Sequence, residues 1–321
     1  MSYLDENGLA EFTTKIKAYF EKKFYGENVL LTANSEMLQT SDGNYLNFTP
    51  EPEPVGITAY ATAQAGVTYT NVTDLSNYTD AQINDISKAI SNCADITSST
   101  ATIYLSDATS ISVGATRSYT LSTQEAMTDR IIGFNHDTLT NANAYGEATA
   151  TGKAGITWQM VNCLATRYPM NSSSTTAGGW NASLMRTSTL PTVKLTLPQD
   201  LQGIIKLVDK KAANGGSSDY SATVTSSDGL FLLAEIEIFG SVTYAWDGSN
   251  EGTQYVYWAS HNQASDRIKY YDNAGTQTAT WWWERSSNNS IITYFCSVNS
   301  NGNANYNNAS ATRGVSFAYC T

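Results

Sequence analysis

Hydrophobic residues recur at two different periods along the chain and divide it into helical and β-rich stretches. Residues 3–25 carry apolar side chains at spacings of three and four, which predicts an amphipathic helix that ends near Gly26. These side chains are Leu9, Phe12, Ile16, Tyr19, Phe20 and Phe24. A single helix of this length is marginal in water, so its apolar stripe needs a partner, either another copy of the chain or a larger assembly.

A second helix is predicted between Thr79 and about Cys93. Thr79 and Gln82 have the spacing of a capping box, in which each side chain bonds the backbone N–H of the other residue. The apolar side chains that follow are spaced for one buried face and are Ile83, Ile86 and Ile90. Shorter helices are expected over residues 180–190 and from Leu197 onward.

The rest of the chain has mostly β character. The Asn301–Gly302 pair marks a tight turn between two short runs, which predicts a β-hairpin. Val315, Phe317 and Tyr319 alternate with other residues and predict a last strand that pairs within the core sheet. The ranges interpreted as strands are 118–121, 129–134, 230–239, 281–283, 294–298 and 303–306.

The clearest boundary is the sequence Pro-Glu-Pro-Glu-Pro at residues 50–54, which holds three of the chain's six prolines. Alternating prolines and like charges favour a stiff, extended spacer. We therefore divide the chain into an N-terminal helix with its connector, the spacer, a small α/β module and a larger C-terminal domain. Their expected ranges are 1–49, 50–54, 55–125 and 126–321.

The composition favours recognition over acid–base chemistry. The chain has a formal net charge of −11, only 15% charged residues and no basic cluster, so we expect no binding to nucleic acid. No apolar run approaches a membrane span and the first residues lack the features of a signal peptide, so we expect no membrane insertion and synthesis in a cytosol. The 20 tyrosines and 7 tryptophans, with many Ser, Thr and Asn, indicate an uncharged, aromatic surface suited to binding.

Glu235 and Glu237 are the best candidates for catalysis. On the strand expected over residues 230–239 they would share one face about 6.5–7 Å apart, a spacing that suits the two carboxylates of an inverting glycosidase. The alternative is a strand that buries Ile236 and Ile238 and turns both glutamates toward solvent or toward a lysine. We favour this second interpretation and expect no catalytic residues.

The sequence signals for a metal site are weak. His136–Asp137 and His261 lack further carboxylates at ligand spacing, so turn or surface roles are the alternative. Residues 247–251 resemble a calcium loop only loosely, because they lack its alternating acidic ligands. We therefore expect neither a metal nor a cofactor.

The four cysteines are widely spaced and form no Cys-x-x-Cys motif. Cys93, Cys163, Cys296 and Cys320 are therefore interpreted as reduced, semi-buried thiols. A Cys296–Cys320 disulfide is the alternative if the last strands pair.

Trp281–Trp283 is the most unusual local feature. Three successive tryptophans on a strand cannot all face one core, so either the strand is buried on both faces or one ring forms the floor of a ligand site. The following stretch 286–312 is rich in Asn, Ser and Tyr and is flanked by apolar strands. This composition is typical of binding surfaces, and we favour recognition over an ordinary polar loop.

Two parts of the chain resemble known phage proteins. Residues 3–9, with residues 15–17 following, resemble the N-terminus of tail-fibre and baseplate proteins from phages of gut Firmicutes. From about Thr79 to the end, the chain resembles an uncharacterised phage and prophage domain. The stretches that carry this second resemblance are 130–137, 178–180, 197–202, 232–240, 251–255, 282–286 and 313–320.

The resemblance implies an α+β fold. An N-terminal helix and spacer would precede a mixed C-type-lectin-like (formylglycine-generating-enzyme-like) domain with short helices and antiparallel strands. It also implies that the C-terminal end is similar to the variable region of proteins diversified by diversity-generating retroelements. In such systems adenine-directed mutagenesis rewrites Asn-type codons, so residues 284–313 would be the variable region.

We therefore expect a phage tail receptor-binding protein, located in the virion tail, that is not an enzyme. Its partners would be a bacterial surface protein or glycan and other tail proteins, and a homo-oligomer, with a trimer favoured, would form through the helix. The alternatives are a tail-associated glycan hydrolase using Glu235 and Glu237, and a purely structural tail protein. The expected ligand-binding side chains are Trp281, Trp283, Ser287, Asn288, Asn289, Ser290, Ile291, Thr293, Tyr294, Asn299, Asn303, Asn305, Tyr306, Asn307, Asn308 and Ser310.

Overall fold

The computed structural model describes residues 56–215, 223–246 and 251–321. The helix, connector and spacer expected over residues 1–54 lie outside the described residues, as do positions 247–250 of the loop compared with a calcium site. Ile57–Thr321 forms one compact unit.

A mostly antiparallel sheet lies at the centre of this unit. Its eight strands are β1 (Ala59–Tyr60), β2 (Thr70–Asp74), β3 (Thr102–Leu105), β4 (Thr109–Thr120), β5 (Ala126–Phe134), β6 (Ile156–Met160), β9 (Leu230–Phe231) and β15 (Ala318–Cys320). They lie in the order β1-β3-β4-β5-β6-β15-β9, and β2 pairs in parallel with β4 beside this path.

Strands from both sides of the module boundary expected at residues 125 and 126 belong to this one sheet. β4 and β5 run antiparallel, with Thr116 opposite Arg130. They include the strands expected over residues 118–121 and 129–134, and both predictions are confirmed.

The helices of the described chain are short. The α-helices are α1 (Asp80–Ser91), α2 (Gly179–Ala182), α3 (Leu190–Lys194), α4 (Gln199–Ile204), α5 (Glu235–Phe239) and α6 (Val256–Ser260), with a π-helical turn over Met185–Thr189 and a 3-10 turn over Ala264–Arg267. The Thr79 hydroxyl accepts the Gln82 N–H and the Gln82 side chain accepts the Thr79 N–H, so the predicted capping box of α1 is confirmed. Its expected inner face is also confirmed, because Ile83, Ile86 and Ile90 are fully buried.

The strand expected over residues 230–239 is wrong beyond Phe231, because the chain continues into α5. At the start of this helix the Glu237 carboxylate accepts the Ala234 N–H at 3.0 Å. At its end Gly240 adopts a φ of 72°, a conformation that favours glycine. These capping interactions override the strand-like alternation of isoleucine and glutamate.

Three smaller antiparallel sheets complete the unit. Their strands are β7 (Val208–Ala213) with β8 (Thr223–Asp228), β10 (Lys269–Asn273) with β11 (Thr276–Thr280), and β12 (Trp282–Ser287) with β13 (Tyr294–Val298) and β14 (Ala304–Asn308). The hairpin expected around Asn301–Gly302 is confirmed, since β13 and β14 pair on either side of that turn.

The last strand lies inside the core. β15 pairs with both β6 and β9, and all of its residues are fully buried, so the expected pairing within the core sheet is confirmed. The largest side chains that pack the interior include Trp158, Trp180, Trp258, Trp282 and Trp283. The described chain is thus a mixed α+β unit with mostly antiparallel sheets and few helices. None of its described helices is long and apolar enough to cross a membrane.

Candidate ligand-binding surface

The Asn-rich end of the chain forms the sheet β12-β13-β14, with β13 in the middle. Because cross-strand partners share a face, Tyr306 lies on the same face as Cys296, and Asn305 lies on the opposite face with Ser297. Cys296, Ser297 and Phe295 of β13 are fully buried, whereas every residue of β14 is half-buried. The sheet therefore presents its β14 edge to solvent.

The structure brings most of the expected ligand-binding side chains to this edge and its loops, but it buries three of them. Trp283, Ser287 and Asn288 are at most 1% exposed, so they cannot touch a ligand in this arrangement. The exposed members of the set are Asn289, Ser290, Asn303 and Ser310. The half-buried members are Trp281, Ile291, Thr293, Tyr294, Asn299, Asn305, Tyr306, Asn307 and Asn308.

The tryptophan run anchors the sheet. Trp282 and Trp283 are fully buried on opposite faces of β12, and each indole N–H donates to a backbone carbonyl, at 3.0 and 2.8 Å. Trp281 precedes the strand, is half-buried and has the Arg313 guanidinium 5.6 Å from its ring. Neither buried ring is therefore the floor of an open ligand site.

Three tyrosines pack together beside the hairpin. The Tyr306 ring lies 4.8 Å from the Tyr244 ring and 5.5 Å from the Tyr294 ring, measured between centroids. All three are half-buried, and Ile292, two residues before Tyr294, is 48% exposed. We call Tyr244, Tyr294 and Tyr306 the tyrosine cluster. Sequence reasoning missed Tyr244, because this contact joins a loop to a strand that is distant in the chain and leaves no local pattern.

Asparagine side chains support the hairpin through their oxygens. Asn305 Oδ1 accepts the Tyr306 N–H at 2.8 Å, and Asn307 Oδ1 accepts the Asn308 N–H at 3.0 Å. Asn299 Oδ1 accepts backbone N–H groups of the turn in the same way. The amide nitrogens of Asn299, Asn305 and Asn307 have no partner within the described ranges, so this edge offers hydrogen-bond donors to a ligand with acceptor oxygens.

A buried ion pair holds β12 from within the domain. Arg285 is fully buried and binds Glu237 through two nitrogens, at 2.5 and 2.9 Å. It also donates to the backbone carbonyls of Lys211, Leu232 and Glu251. Every hydrogen-bonding nitrogen of this guanidinium is thus occupied by the protein itself, which fixes the strand that carries the hairpin.

Lys210 extends this network to the other side of Glu237. Its ammonium group donates to Glu237 Oε1 and to Asp137 Oδ1, both at 2.7 Å, and lies 3.3 Å from the Tyr255 hydroxyl. Burial raises the pKa of both carboxyls, but nearby positive charges outweigh it, those of Arg285 and Lys210 at Glu237 and that of Lys210 at Asp137. The pKa of Glu237 is therefore lowered, and that of Asp137 lies well below its ordinary value. We call Arg285, Glu237, Lys210 and Asp137 the ion network, in which each charged group has a partner of opposite charge within the protein.

Glu235 and Glu237 do not share a strand face, so the geometry expected for a two-carboxylate site is wrong. They occupy the first turn of α5, where residues two apart point to different sides. Glu237 belongs to the ion network. Glu235 Oε2 instead accepts the N–H of Tyr244 at 3.0 Å and the N–H of Ala245 at 2.6 Å. Burial raises the pKa of Glu235 although these backbone bonds oppose it. Its observed role is to hold the loop that carries Tyr244.

Glu284 is a buried carboxyl that sequence reasoning did not single out. It is fully buried at the point where the register of β12 shifts, and neither oxygen has a hydrogen-bond partner among the described residues. Burial, together with the nearby charges of Glu235 and Glu251, raises its pKa well above the ordinary value. Burial therefore favours the protonated form of this carboxyl. No local pattern in the sequence indicates that this glutamate is buried near two other carboxyls.

A cleft of about 500 Å³ lies over the ion network, and the residues that line it include His136, Lys210 and Arg285. His136 stacks on Tyr255 with ring centroids 3.9 Å apart. His261 stacks on Tyr257 at 4.0 Å. Each histidine is thus engaged with an aromatic ring, and within residues 56–215, 223–246 and 251–321 no group of three His, Cys, Asp or Glu side chains is arranged to hold a metal ion.

All four cysteines are free thiols, so the alternative Cys296–Cys320 disulfide is not formed. Both of these residues are fully buried. Burial raises the pKa of each thiol well above its ordinary value, so both are neutral at physiological pH.

Comparison with known proteins gives one match. Residues 151–320, more than half of the chain, match the family model described as a domain of unknown function, DUF6273. No curated protein and no solved structure matches the chain.

Proposed function

The chain belongs to the DUF6273 family of domains of unknown function, and for this member we propose a role as a phage tail receptor-binding protein. It recognises a ligand on a bacterial surface through the β14 edge and the tyrosine cluster. The N-terminal residues would attach the protein to the tail or join several copies. The mechanism is binding, and many weak copies on one virion would raise the overall avidity.

One observation carries this proposal. A half-exposed, uncharged strand of Asn, Tyr and Ala stands on a sheet whose interior is fixed by tryptophans and by a saturated ion pair. Tyrosine supplies contact area at low entropic cost, and asparagine supplies adaptable hydrogen bonds. A rigid support with this composition at its edge suits recognition of another molecule.

We further propose that the domain has a C-type-lectin-like fold. Supporting features are the short helices, the irregular small sheets and a last strand that returns to pair between β6 and β9. In this proposal residues 284–313 are the region rewritten by a diversity-generating retroelement. The exposed and half-buried positions tolerate change, whereas the buried residues of β12 keep the support intact.

The diversification proposal has a test in the DNA. The coding sequence is expected to use AAC or AAT at many of the asparagines between residues 284 and 313, and a near-identical template copy is expected beside a reverse-transcriptase gene. A genome with neither the template nor that gene nearby would contradict active diversification and leave the binding proposal standing.

The binding proposal is tested by exchanging the exposed and half-buried positions of residues 286–312 for those of another family member. Both full-length chains are labelled and mixed with a panel of gut Firmicutes strains. We expect the set of bound strains to follow the exchanged positions. The matched control exchanges the exposed residues of the β10–β11 hairpin and leaves the set of bound strains unchanged. An unchanged set after the first exchange would contradict recognition through this surface, and the absence of binding to any strain would favour a purely structural tail protein.

A further inference from the structure

The hydrogen bonds at the two ends of β14 show which of its backbone groups point away from β13. Asn299 N–H donates to the Asn303 carbonyl at 2.9 Å, and Ala309 N–H donates to the Thr293 carbonyl at 2.8 Å. In an antiparallel pair every second residue bonds the neighbouring strand and the residue between them points away from it. Asn305 and Asn307 therefore bond β13, whereas the backbone groups of positions 304, 306 and 308 point outward.

Few of these outward backbone groups have hydrogen-bond partners elsewhere in the described chain. The N–H groups of Tyr306 and Asn308 are bonded by the side chains of the residues just before them, Asn305 and Asn307. The N–H and carbonyl of Ala304 and the carbonyl of Tyr306 have no partner in the described part of the chain. No described strand pairs with this side of β14. The edge thus offers an alternating row of donors and acceptors.

This edge lacks the usual protection against strand pairing. Natural edge strands are commonly blunted by lysine, proline or an inward charge. β14 has the sequence Ala-Asn-Tyr-Asn-Asn, without charge or proline. Its cover consists of Asn side chains, which an incoming strand can displace by rotation about single bonds.

We propose that the ligand of this surface is an extended segment of a protein, which adds to β14 as a fourth strand. This inference rests on the proposed function and names its substrate class. Main-chain bonds to positions 304 and 306 would give affinity, as in other cases of strand addition. Contacts with the tyrosine cluster on one face of the added strand would give specificity. A glycan is disfavoured, because it has no backbone that alternates donors and acceptors at strand spacing.

The first test removes one outward donor. Ala304→Pro deletes an N–H that points away from β13, so the β13–β14 ladder keeps its bonds, and proline is tolerated on edge strands. The probe is intact cells of a strain that the wild-type full chain binds. We expect Ala304→Pro to weaken binding about tenfold, and the matched control Ala304→Ser to bind like the wild type. Equal binding by the proline and serine variants would overturn the proposal.

The second test removes a cover and does not depend on the fold of the proline variant. Asn305→Ala frees the Tyr306 N–H for an incoming strand, so we expect binding to the same cells to tighten by several-fold. If the ligand instead contacts the Asn305 amide directly, the same variant binds more weakly. That result would overturn strand addition and leave the hairpin as the binding surface.

The third test identifies the source of the ligand. Protease treatment of the cells is expected to abolish binding, and periodate oxidation of their glycans is expected to leave it intact. The opposite pattern would overturn the proposal in favour of a glycan. Concentration-dependent dimerisation of the chain that Ala304→Pro abolishes would overturn it in favour of a second copy at the same edge. If the wild-type chain binds no strain at all, it is the proposed function that fails.

Discussion

The interior beneath β12 and the edge of β14 lie in the same small sheet but use opposite chemistry. Around Arg285, charged groups are buried, and the guanidinium meets only groups of the protein. Along β14, the side chains are uncharged and half-exposed, and part of the backbone has no partner among the described residues. A buried ion pair is costly to break, whereas a polar edge is free to change. The residues that stabilise this sheet are therefore different from those of the surface proposed for recognition.

The largest effect is expected at Arg285. Arg285→Met removes the cation that Glu237 needs and leaves a buried carboxylate with only Lys210 as its charged partner. Breaking one side of a buried pair costs about 3–5 kcal/mol of unfolding free energy. Urea denaturation of the full chain measures this loss. The control is Lys211→Met. Lys211 follows Lys210 in β7 and is exposed, so its replacement is expected to change the unfolding free energy by no more than about 0.5 kcal/mol. Equal losses of unfolding free energy in the two variants would contradict the stabilising role of the ion network.

The next effect concerns Glu284 and depends on pH. Its folded pKa is raised above the unfolded value of about 4.3. Protonated Glu284 therefore favours the folded state, and stability is lost as pH rises from the unfolded pKa toward the folded pKa. Within that window the slope is about 1.4 kcal/mol per pH unit for this one group.

Glu284→Gln removes this dependence while keeping the shape of the side chain. We expect the variant to match the wild type near pH 4 and to be increasingly more stable as pH rises above about 4.3. Thermal or urea unfolding at a series of pH values gives the difference between the two proteins. A constant difference across the series would show that Glu284 ionises in the folded chain as it does in water.

A smaller effect is expected within the tyrosine cluster. A double-mutant cycle of Tyr244→Ala and Tyr306→Ala should give a coupling free energy of about 0.5–1.5 kcal/mol, because the rings meet edge to face at 4.8 Å. Urea unfolding of the four proteins provides the values. The control cycle replaces Tyr306 and Tyr270, an exposed tyrosine of β10, and should give no coupling. Similar couplings in both cycles would argue against a specific Tyr244–Tyr306 contact.

The smallest effect is expected at Asn289. This side chain is exposed, so Asn289→Ala should change the unfolding free energy by less than about 0.5 kcal/mol. Its neighbour Asn288 is buried and accepts the N–H groups of Ser290 and Ile291 at 3.0 and 2.9 Å. Asn288→Ala should cost about 1–3 kcal/mol. A larger loss for Asn289→Ala than for Asn288→Ala would contradict the assignment of Asn288 to the buried support and of Asn289 to the exposed surface.

Local signals in the sequence were enough for several elements. The capping box at Thr79 and the Asn301–Gly302 turn each depend on residues that are close in the chain, so they predict α1 and the β13–β14 hairpin. The alternation in residues 230–239 was misleading, because isoleucine and glutamate suit both a strand and a short helix. The signals that decide the outcome are Glu237 at the third helical position and Gly240 at the end.

The parts of the site that could not be predicted depend on contacts between distant residues. Nothing near Tyr244 indicates that its ring meets Tyr306, and nothing near Arg285 indicates that it binds Glu237. The composition points to residues 286–312 as a candidate surface, but it does not separate exposed Asn289 from buried Asn288. That separation arises from the packing of β12 against the rest of the domain.

The most direct test of the central claim is adsorption of the labelled full chain to gut Firmicutes cells, comparing Tyr306→Ala with Tyr270→Ala. Both replaced rings are tyrosines on the surface of small sheets, but only Tyr306 belongs to the tyrosine cluster. We predict that Tyr306→Ala lowers the affinity for cells at least about tenfold and that Tyr270→Ala leaves it unchanged. Equal adsorption by both folded variants would contradict recognition through the β14 edge.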